Sequence, residues 1–171
     1  MNDMLDQSTR NARGAKDSAS GQYLTFQLAG EQFGIPILAV QEIRGWETFS
    51  KTPRSPDYVL GVMNLRGAVV PVLDLRTRLG MEPCERTPMS VIIVVRVEGE
   101  AAPITVGCLV DRVSDVVSLA ADSGQAPPAA CGTVDTHFLS GVAMIDKQLI
   151  MLIDVVRLVE TSTKYPNEAV A

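Results

Sequence analysis

The feature that most constrains how this chain can fold is a stretch of its first half that returns in its second half. Glycine, apolar and aspartate positions of the two stretches match at a constant offset of 80 residues: Gly61-Val62, Leu65, Val69-Val70, Leu73 and Asp74 against Gly141-Val142, Ile145, Leu149-Ile150, Ile153 and Asp154. A second match, at an offset of 73, relates Gly34, Val40, Glu42 and Ile43 to Gly107, Val113, Asp115 and Val116. Two matches in the same order indicate an internal duplication, and each copy alone is too short to bury a large core.

The repeated stretch has the pattern of a β-hairpin followed by a short helix. Residues 62–72 form two short apolar runs joined by the polar tip Asn64-Leu65-Arg66-Gly67. Gly67 can take the positive φ that a tight turn needs, and Arg66 is then held out into solvent at the bend. Asp74 and Asp154 each stand directly before a helical turn. Aspartate at that position caps free backbone N–H groups, so both are predicted to be structural caps.

The rest of the chain favours short strands over long helices. Apolar and polar residues alternate in residues 22–28, while residues 91–97 form a nearly continuous β-branched run, typical of a strand buried on both faces. Many short strands, tight turns and brief capped helices predict an all-β fold of small β-barrels with a few short helices. Residues 1–20 are small, polar and charged and are predicted to be a disordered tail, and residues 161–171 form a second tail.

Charge and composition exclude several classes of partner. The net charge is −5, the sequence pI is about 4.9, and the Lys and Arg residues form no cluster, which argues against nucleic acid or an anionic membrane surface. The apolar runs are far shorter than the roughly 20 residues of a membrane-spanning helix. The first residues also lack the hydrophobic region of a signal peptide. Three widely spaced cysteines, Cys84, Cys108 and Cys131, fit a reducing compartment, so we expect a cytoplasmic protein.

Candidate catalytic and metal-binding residues are few. His137 is the one histidine, and it has no serine, cysteine or carboxylate at a spacing that indicates nucleophilic catalysis or metal binding. The glycines follow no phosphate-binding pattern. We therefore predict that the chain is not an enzyme and needs neither metal nor cofactor. The alternative is a small-ligand-binding or enzymatic β-barrel that uses Asp74, Asp111 or His137.

Positions at which the two copies differ are candidates for function, because shared positions serve the fold. Arg66 at the first hairpin tip has no basic counterpart at the matching position of the second copy, and its guanidinium could reach a carboxylate or backbone carbonyls of a partner protein. A second candidate is apolar, since the junction of two lobes is a natural groove for an amphipathic helix. Four residues are expected on strands near that junction: Val40, Ile43, Val91 and Val116.

Four segments together resemble the CheW-type coupling proteins of bacterial chemotaxis. They are GQYLTFQLAGEQFGIPILAVQEIRG, GVMNLRGAVVPVLDLR, GCLVDRVSDVVSL and FLSGVAMIDKQLIMLID, and they occur in the order and spacing of that family. The resemblance covers residues 21–160. It implies two intertwined, SH3-like five-stranded β-barrels around a shared hydrophobic core, with lobes at about 21–81 and 89–160.

The resemblance also implies a role and a set of contact residues. Proteins of this family are non-enzymatic adaptors that link the cytoplasmic tips of chemoreceptors to the histidine kinase CheA, whose regulatory domain has the same fold. It implies a monomer when free and a member of a membrane-associated receptor array when assembled. The positions implicated in receptor or kinase contact are Val40, Glu42, Val91 and Val116, and Arg66 with Asn64 beside it resembles the sensitive hairpin arginine of the family.

Overall fold

The computed structural model describes residues 21–46, 50, 54–82, 87–99, 102–120, 124–125 and 134–159. The predicted tails at 1–20 and 161–171 lie outside these ranges, as do Cys84 and Cys131. The other cysteine, Cys108, is a buried free thiol in a strand.

Short strands make up most of the described chain, as the sequence predicts. They are β1 (Gly21–Leu28), β2 (Glu31–Pro36), β3 (Val40–Gly45), β4 (Val59–Leu65), β5 (Ala68–Asp74), β6 (Val91–Glu98), β7 (Pro103–Val110), β8 (Arg112–Leu119), β9 (Gly124–Gln125), β10 (Leu139–Ile145) and β11 (Gln148–Ile153). Helical structure is brief: α1 (Leu75–Arg78), a helical turn at 155–159, and two 3₁₀ turns, Ile37–Ala39 and Thr136–Phe138.

The strands form two sheets that repeat the same arrangement. Sheet A has the order β8-β1-β2-β11-β10-β9, and sheet B has the order β3-β6-β7-β5-β4. Apart from the two-residue β9, each strand of sheet A corresponds to one of sheet B through the sequence repeat. Even the register agrees, since the parallel pair Val72 and Gly107 corresponds to the parallel pair Leu152 and Gly34.

Each sheet takes strands from both halves of the chain. The hairpin β1–β2 completes sheet A, and the hairpin β6–β7 completes sheet B. The segments 21–81 and 89–160 therefore describe the two copies of the repeat, whereas the sheets are interleaved.

Within the described ranges, the buried apolar residues form one large cluster that both sheets share and two smaller clusters, one for each sheet. Strand β6 shows how this follows from the sequence. Ile93 and Val95 point into the shared cluster, whereas Ile92 and Val94 point into the cluster of sheet B. Because successive side chains of a strand face opposite sides, both faces of β6 are buried, which explains its continuous β-branched run. The predicted shared core is present.

Gly107 allows the strands of sheet B to approach closely. A Cβ at this position would lie 2.9 Å from Cγ2 of Ile92, closer than carbon atoms pack. The equivalent glycine of sheet A, Gly34, is less tightly packed, with Cδ2 of Leu152 at 3.3 Å from the corresponding position. Both glycines of the repeat are therefore explained by close packing against a neighbouring strand, the antiparallel β6 for Gly107 and the parallel β11 for Gly34.

The hairpin tips of the two copies have the same backbone shape and different residues. Arg66 and Gly67 both have positive φ, as do Asp146 and Lys147 in the second copy. Two consecutive residues with positive φ are the signature of a type I′ turn, whose twist matches that of the adjoining strands. The predicted conformation of Gly67 is confirmed, and the second copy adopts the same turn without a glycine.

The two predicted helix caps differ in detail. Asp154 accepts a hydrogen bond from the backbone N–H of Arg157 at 3.2 Å, as a cap does. Asp74 occupies the N-cap position of α1, but its side chain makes no capping bond to the backbone and instead accepts from the hydroxyl of Thr77 at 3.0 Å. The prediction that the Asp74 carboxylate caps backbone N–H groups is therefore wrong, because the nearby hydroxyl is the donor that it uses.

A cation stacked between two aromatic rings joins the copies. The guanidinium carbon of Arg78 lies 4.4 Å from the ring centre of Tyr58 and 4.3 Å from that of Phe138. The two rings are equivalent positions of the repeat, 80 residues apart, and the backbone carbonyl of each accepts the N–H of the matching aspartate, Asp74 or Asp154. Arg78 thus lies where the two copies meet, and cation–π attraction to both rings contributes to their association.

Asp111 is the single residue between β7 of sheet B and β8 of sheet A, and it binds elements of both sheets. Its carboxylate accepts two hydrogen bonds from Arg76 on α1, of which the bond from Nε to Oδ1 is 2.8 Å, and one from the Ala29 N–H at 3.0 Å. Its own N–H donates to the carbonyl of Gln27 at 3.1 Å. We call this arrangement of Asp111, Arg76 and Ala29 the clasp.

The central position of β6 generates a stability prediction. Ile93 is 1% exposed and lies on a strand paired on both sides, so Ile93→Ala removes buried methyl groups and leaves a cavity. We expect a loss of about 2–5 kcal/mol in the free energy of unfolding, measured by urea denaturation. Val69, 71% exposed on β5, is the control, and Val69→Ala is expected to stay within about 0.5 kcal/mol. A nearly neutral Ile93→Ala would contradict the placement of this strand.

The clasp generates a pH prediction. Burial alone would raise the pKa of Asp111, but hydrogen bonds from Arg76 and Ala29 and the charge of Arg76 outweigh it, so the pKa lies below its ordinary value. The unfolded chain, with a pKa near 3.9, then binds more protons than the folded one. The stabilisation is therefore complete above the unfolded-state pKa and is lost as the pH falls through the folded-state pKa.

We expect the difference in unfolding free energy between the wild type and Asp111→Asn to be constant from about pH 7 to pH 5 and to shrink below that. Urea denaturation at a series of pH values measures it. A difference that stays the same down to the lowest pH at which both proteins fold would contradict the role assigned to the carboxylate.

Candidate docking surface

Three charged side chains meet on strand β3 and the first hairpin tip. Nη2 of Arg66 lies 3.0 Å from Oε2 of Glu42, and Nη1 of Arg44 lies 3.3 Å from Oε1 of the same carboxylate. The side chain of Arg66 is 74% exposed and that of Glu42 is 23% exposed. Exposed ion pairs of this kind contribute little to stability, about 0–1 kcal/mol. Their effect here is to orient the Arg66 guanidinium at the protein surface.

The contact between Arg66 and Glu42 depends on the curvature of sheet B. Strand β3 and strand β4 are the first and last strands of that sheet, yet the tip of β4–β5 reaches β3. Ser50, which follows β3, supports this closure, because its backbone exchanges two hydrogen bonds with Val62 of β4 at 2.9 and 3.2 Å. The sheet thus curls until its edges approach each other, as in a barrel.

Asn64 serves the hairpin turn. Its Oδ1 accepts the backbone N–H of Gly67 at 2.9 Å, which fixes the turn that carries Arg66. The structure therefore gives Asn64 a local role in positioning Arg66. A direct contact of Asn64 with a partner stays a prediction.

The apolar candidates divide into two groups. Ile43 and Val116 are equivalent in the repeat and are 46% and 45% exposed, each on a strand that is first in its sheet. Val40 and Val91 are partly buried and pack against the shared cluster. The structure thus places one exposed apolar side chain on β3 and one on β8. The partly buried Val40 and Val91 lie on β3 and on its neighbour β6.

The positions on β3 and β6 lie together because those strands pair. Gly45 of β3 is opposite Val91 of β6, and Ile43 is opposite Ile93. Val116 lies on β8 in the other sheet, paired with Leu24 of β1. The predicted residues therefore lie on β3, β6 and the first hairpin tip, with Glu42 and Ile43 on opposite faces of β3, and Val116 is contributed separately by sheet A. We call this set the docking surface: Val40, Glu42, Ile43, Arg66, Val91 and Val116.

Two residues of this region were missed by sequence reasoning. Arg44 holds the second oxygen of Glu42, and its position two residues along β3, on the same face, was a usable signal. Leu38, in the 3₁₀ turn before β3, is 96% exposed and lines a groove of about 400 Å³ with Ala39, Val40, Gln41, Arg96 and Glu98. An apolar residue inside a β-rich pattern is expected to be buried, so no sequence pattern indicates that Leu38 is exposed.

The residues proposed for an alternative ligand or catalytic site are engaged separately. Asp74 bonds to Thr77, Asp111 belongs to the clasp, and exposed His137 makes an edge contact with the ring of Phe138 at 5.2 Å. No hydrogen bond within the described ranges joins these three residues. Nor do these ranges contain a group of three or more His, Cys, Asp or Glu side chains that could hold a metal ion.

The thiol of Cys108 is unreactive by its surroundings. Complete burial raises the pKa of Cys108 to about 12, so the thiolate that reacts is scarce at neutral pH.

Among the residues that the structure describes, no helix is long and apolar enough to cross a membrane.

Comparisons with known proteins agree with this architecture. The family model of the CheW-like domain matches residues 22–163. The chain is 41% identical over 133 residues to the probable chemotaxis protein CheW of Rhizobium etli, covering 78% of this chain and 83% of that protein. It is 38% identical over 147 residues to the chemotaxis protein CheW of Rhizobium meliloti, covering 86% and 88% of the two chains.

A solved structure gives the same result for the fold. The crystal structure of the scaffolding protein TtCheW from Thermoanaerobacter tengcongensis matches with a TM-score of 0.73 and 32% identity, over 81% of this chain and 87% of that one. This likeness confirms the predicted all-β fold of two SH3-like barrels with few helices. Since proteins of this family are scaffolds and not enzymes, the interpretation as a non-enzymatic adaptor is also confirmed. The chain belongs to the CheW family of chemotaxis scaffold proteins.

Proposed function

We propose that this protein couples the cytoplasmic tips of chemoreceptors to the histidine kinase CheA in the cytoplasm, as part of a membrane-associated receptor array. The observation that carries the proposal is the contact of Arg66 with Glu42, which holds an oriented guanidinium at strand β3, the same strand that exposes the apolar side chain of Ile43 on its other face. A surface that combines an apolar patch with an oriented arginine is typical of protein–protein contacts.

The apolar part of the docking surface suits a helical partner. Ile43, Val40 and Val91 lie on two adjacent strands, and Val40 borders the groove that contains the exposed Leu38. A helix that presents apolar residues at positions i, i+3 and i+4 could lie along such a surface. The charged part can recognise carboxylates of a partner protein, because Arg66 retains donors beyond the one that it uses with Glu42.

The direct test is binding of the purified protein to a receptor cytoplasmic-tip fragment and, separately, to the regulatory domain of the kinase. Isothermal titration calorimetry gives both affinities and the stoichiometry. We expect the free protein to be a monomer and to bind each partner. If the protein fails to bind one or both of these partners, the proposed coupling role is overturned.

Arg66 provides the first variant. Arg66→Ala removes the oriented guanidinium and leaves Glu42 with Arg44, so we expect binding to the receptor tip or the kinase to weaken by about tenfold or more. The free energy of unfolding is expected to change by less than about 1 kcal/mol, because the ion pair is exposed. Lys147→Asn, at the equivalent tip of the second copy, is the matched control and is expected to leave binding unchanged. Equal effects of the two variants, or a large loss of stability in Arg66→Ala, would contradict the assignment.

Ile43 tests the apolar component. Ile43→Glu places a charge on the exposed side chain of β3, so an apolar helix face should lose affinity for it, again by about tenfold or more. Leu149→Glu is the control, because Leu149 is also 46% exposed and lies on sheet A. Titration with the receptor tip measures the difference. Unchanged receptor binding by Ile43→Glu would show that this part of the surface is not used.

A further inference from the structure

The chain crosses from one sheet to the other at two equivalent places, and only one of them carries the clasp. The first crossing runs from β2 to β3 through the 3₁₀ turn Ile37–Ala39, and the second runs from β7 to β8 through Asp111 alone. In the repeat, the position of Asp111 corresponds to Leu38, and that of Arg76 corresponds to Val156. Leu38 is 96% exposed and Val156 is 42% exposed, so the first crossing has no counterpart of the ion pair.

This difference separates two explanations of the clasp. If the ion pair were needed only to form the interleaved fold, both crossings would need it, since both connect equivalent strands in equivalent registers. The first crossing forms without it. The clasp therefore has a purpose that is specific to the second crossing and to the strand that starts there.

The strand that starts there is β8, which carries the Val116 part of the docking surface. Strand β8 is first in sheet A and pairs with β1, with a register shift opposite Thr25 and Phe26. On its other side no strand of the described ranges pairs with it. Strand β8 is bound to sheet A by its pairing with β1, and its direct chain connection to sheet B is the junction with β7, where Asp111 is held by a side chain of α1 and by the turn between β1 and β2.

We propose that Asp111 is a positioning residue, which together with Arg76 and the Ala29 amide fixes strand β8 relative to sheet B and so sets the spacing of Val116 from the β3 part of the docking surface. This inference rests on the proposed function, because the spacing matters only if one partner contacts both parts. The bidentate pairing of a planar guanidinium with a carboxylate restricts direction as well as distance, which suits such a role.

The test measures the spacing directly. Nitroxide labels at Gln41→Cys on β3 and Ser118→Cys on β8, both exposed positions, report the distance distribution between the strands by double electron–electron resonance. Cys84 and Cys131 are replaced by serine, while buried Cys108 is retained. Asp111→Asn is compared with the wild type under conditions in which both are folded, and receptor-tip affinity is measured on the same proteins without labels.

Asp111→Asn is expected to broaden the distance distribution and to weaken receptor-tip binding by about tenfold. Combining it with Arg76→Gln should add no further loss, since the two residues act as a unit. Arg157→Gln is the control, because it removes the exposed ion pair with Asp154 at the equivalent helical turn, and it is expected to change neither measurement. If Asp111→Asn does not fold, Arg76→Lys keeps the charge and removes the bidentate geometry.

An unchanged distance distribution in the folded variant, or a broadened distribution with unchanged affinity, would overturn the proposal. If the clasp only stabilises the fold, Asp111→Asn would lower the free energy of unfolding but leave the distance distribution of the folded protein unchanged. If the wild-type protein does not bind the receptor tip, the proposed function fails by itself, and the distance measurement still decides whether the clasp fixes β8.

Discussion

The structure depends on an exchange of hairpins between the two copies of a repeat. Sheet B is completed by β6–β7 from the second copy, and sheet A is completed by β1–β2 from the first. The exchange is held by two parallel strand pairs, β5 with β7 and β2 with β11, and by the core that both sheets share. Because each copy supplies strands to the other, the two barrels share one packed core and form a single unit.

The proposed function depends on equivalent positions of the repeat that carry different chemistry. The first hairpin tip has an arginine that pairs with Glu42, whereas the matching position of the second tip is Asp146. One crossing between the sheets is fixed by an ion pair, and the other presents an exposed leucine. The backbone is thus nearly symmetric while the surface is not, and in the proposed function these distinct faces serve different partner proteins.

Much of this could be predicted from local sequence, and the remainder required long-range geometry. The repeat offsets, the β-branched run of β6 and the turn at Gly67 follow from periodicity and φ preferences. The contact of Arg66 with Glu42 could not be predicted, because it needs the first and last strands of a sheet to meet. The capping rule predicts that the Asp74 carboxylate accepts backbone N–H groups, because the rule does not consider the competing hydroxyl of Thr77 three residues away. The interleaving was available only through the family resemblance, since strand patterns do not specify partners.

The interleaved order of strands determines when each sheet can form during synthesis. All strands of sheet B lie between residues 40 and 110, so that sheet can assemble while the chain is still on the ribosome. The hairpin β1–β2 emerges first, yet its neighbours β8 and β11 are made much later, and β11 ends at Ile153. Until β11 is made, the apolar side chains of this hairpin, among them Phe26 and Phe33, can be buried only by packing against sheet B in the shared cluster. The first hairpin in chain order is thus among the last to gain its outer strand neighbours, which exposes it to aggregation during synthesis.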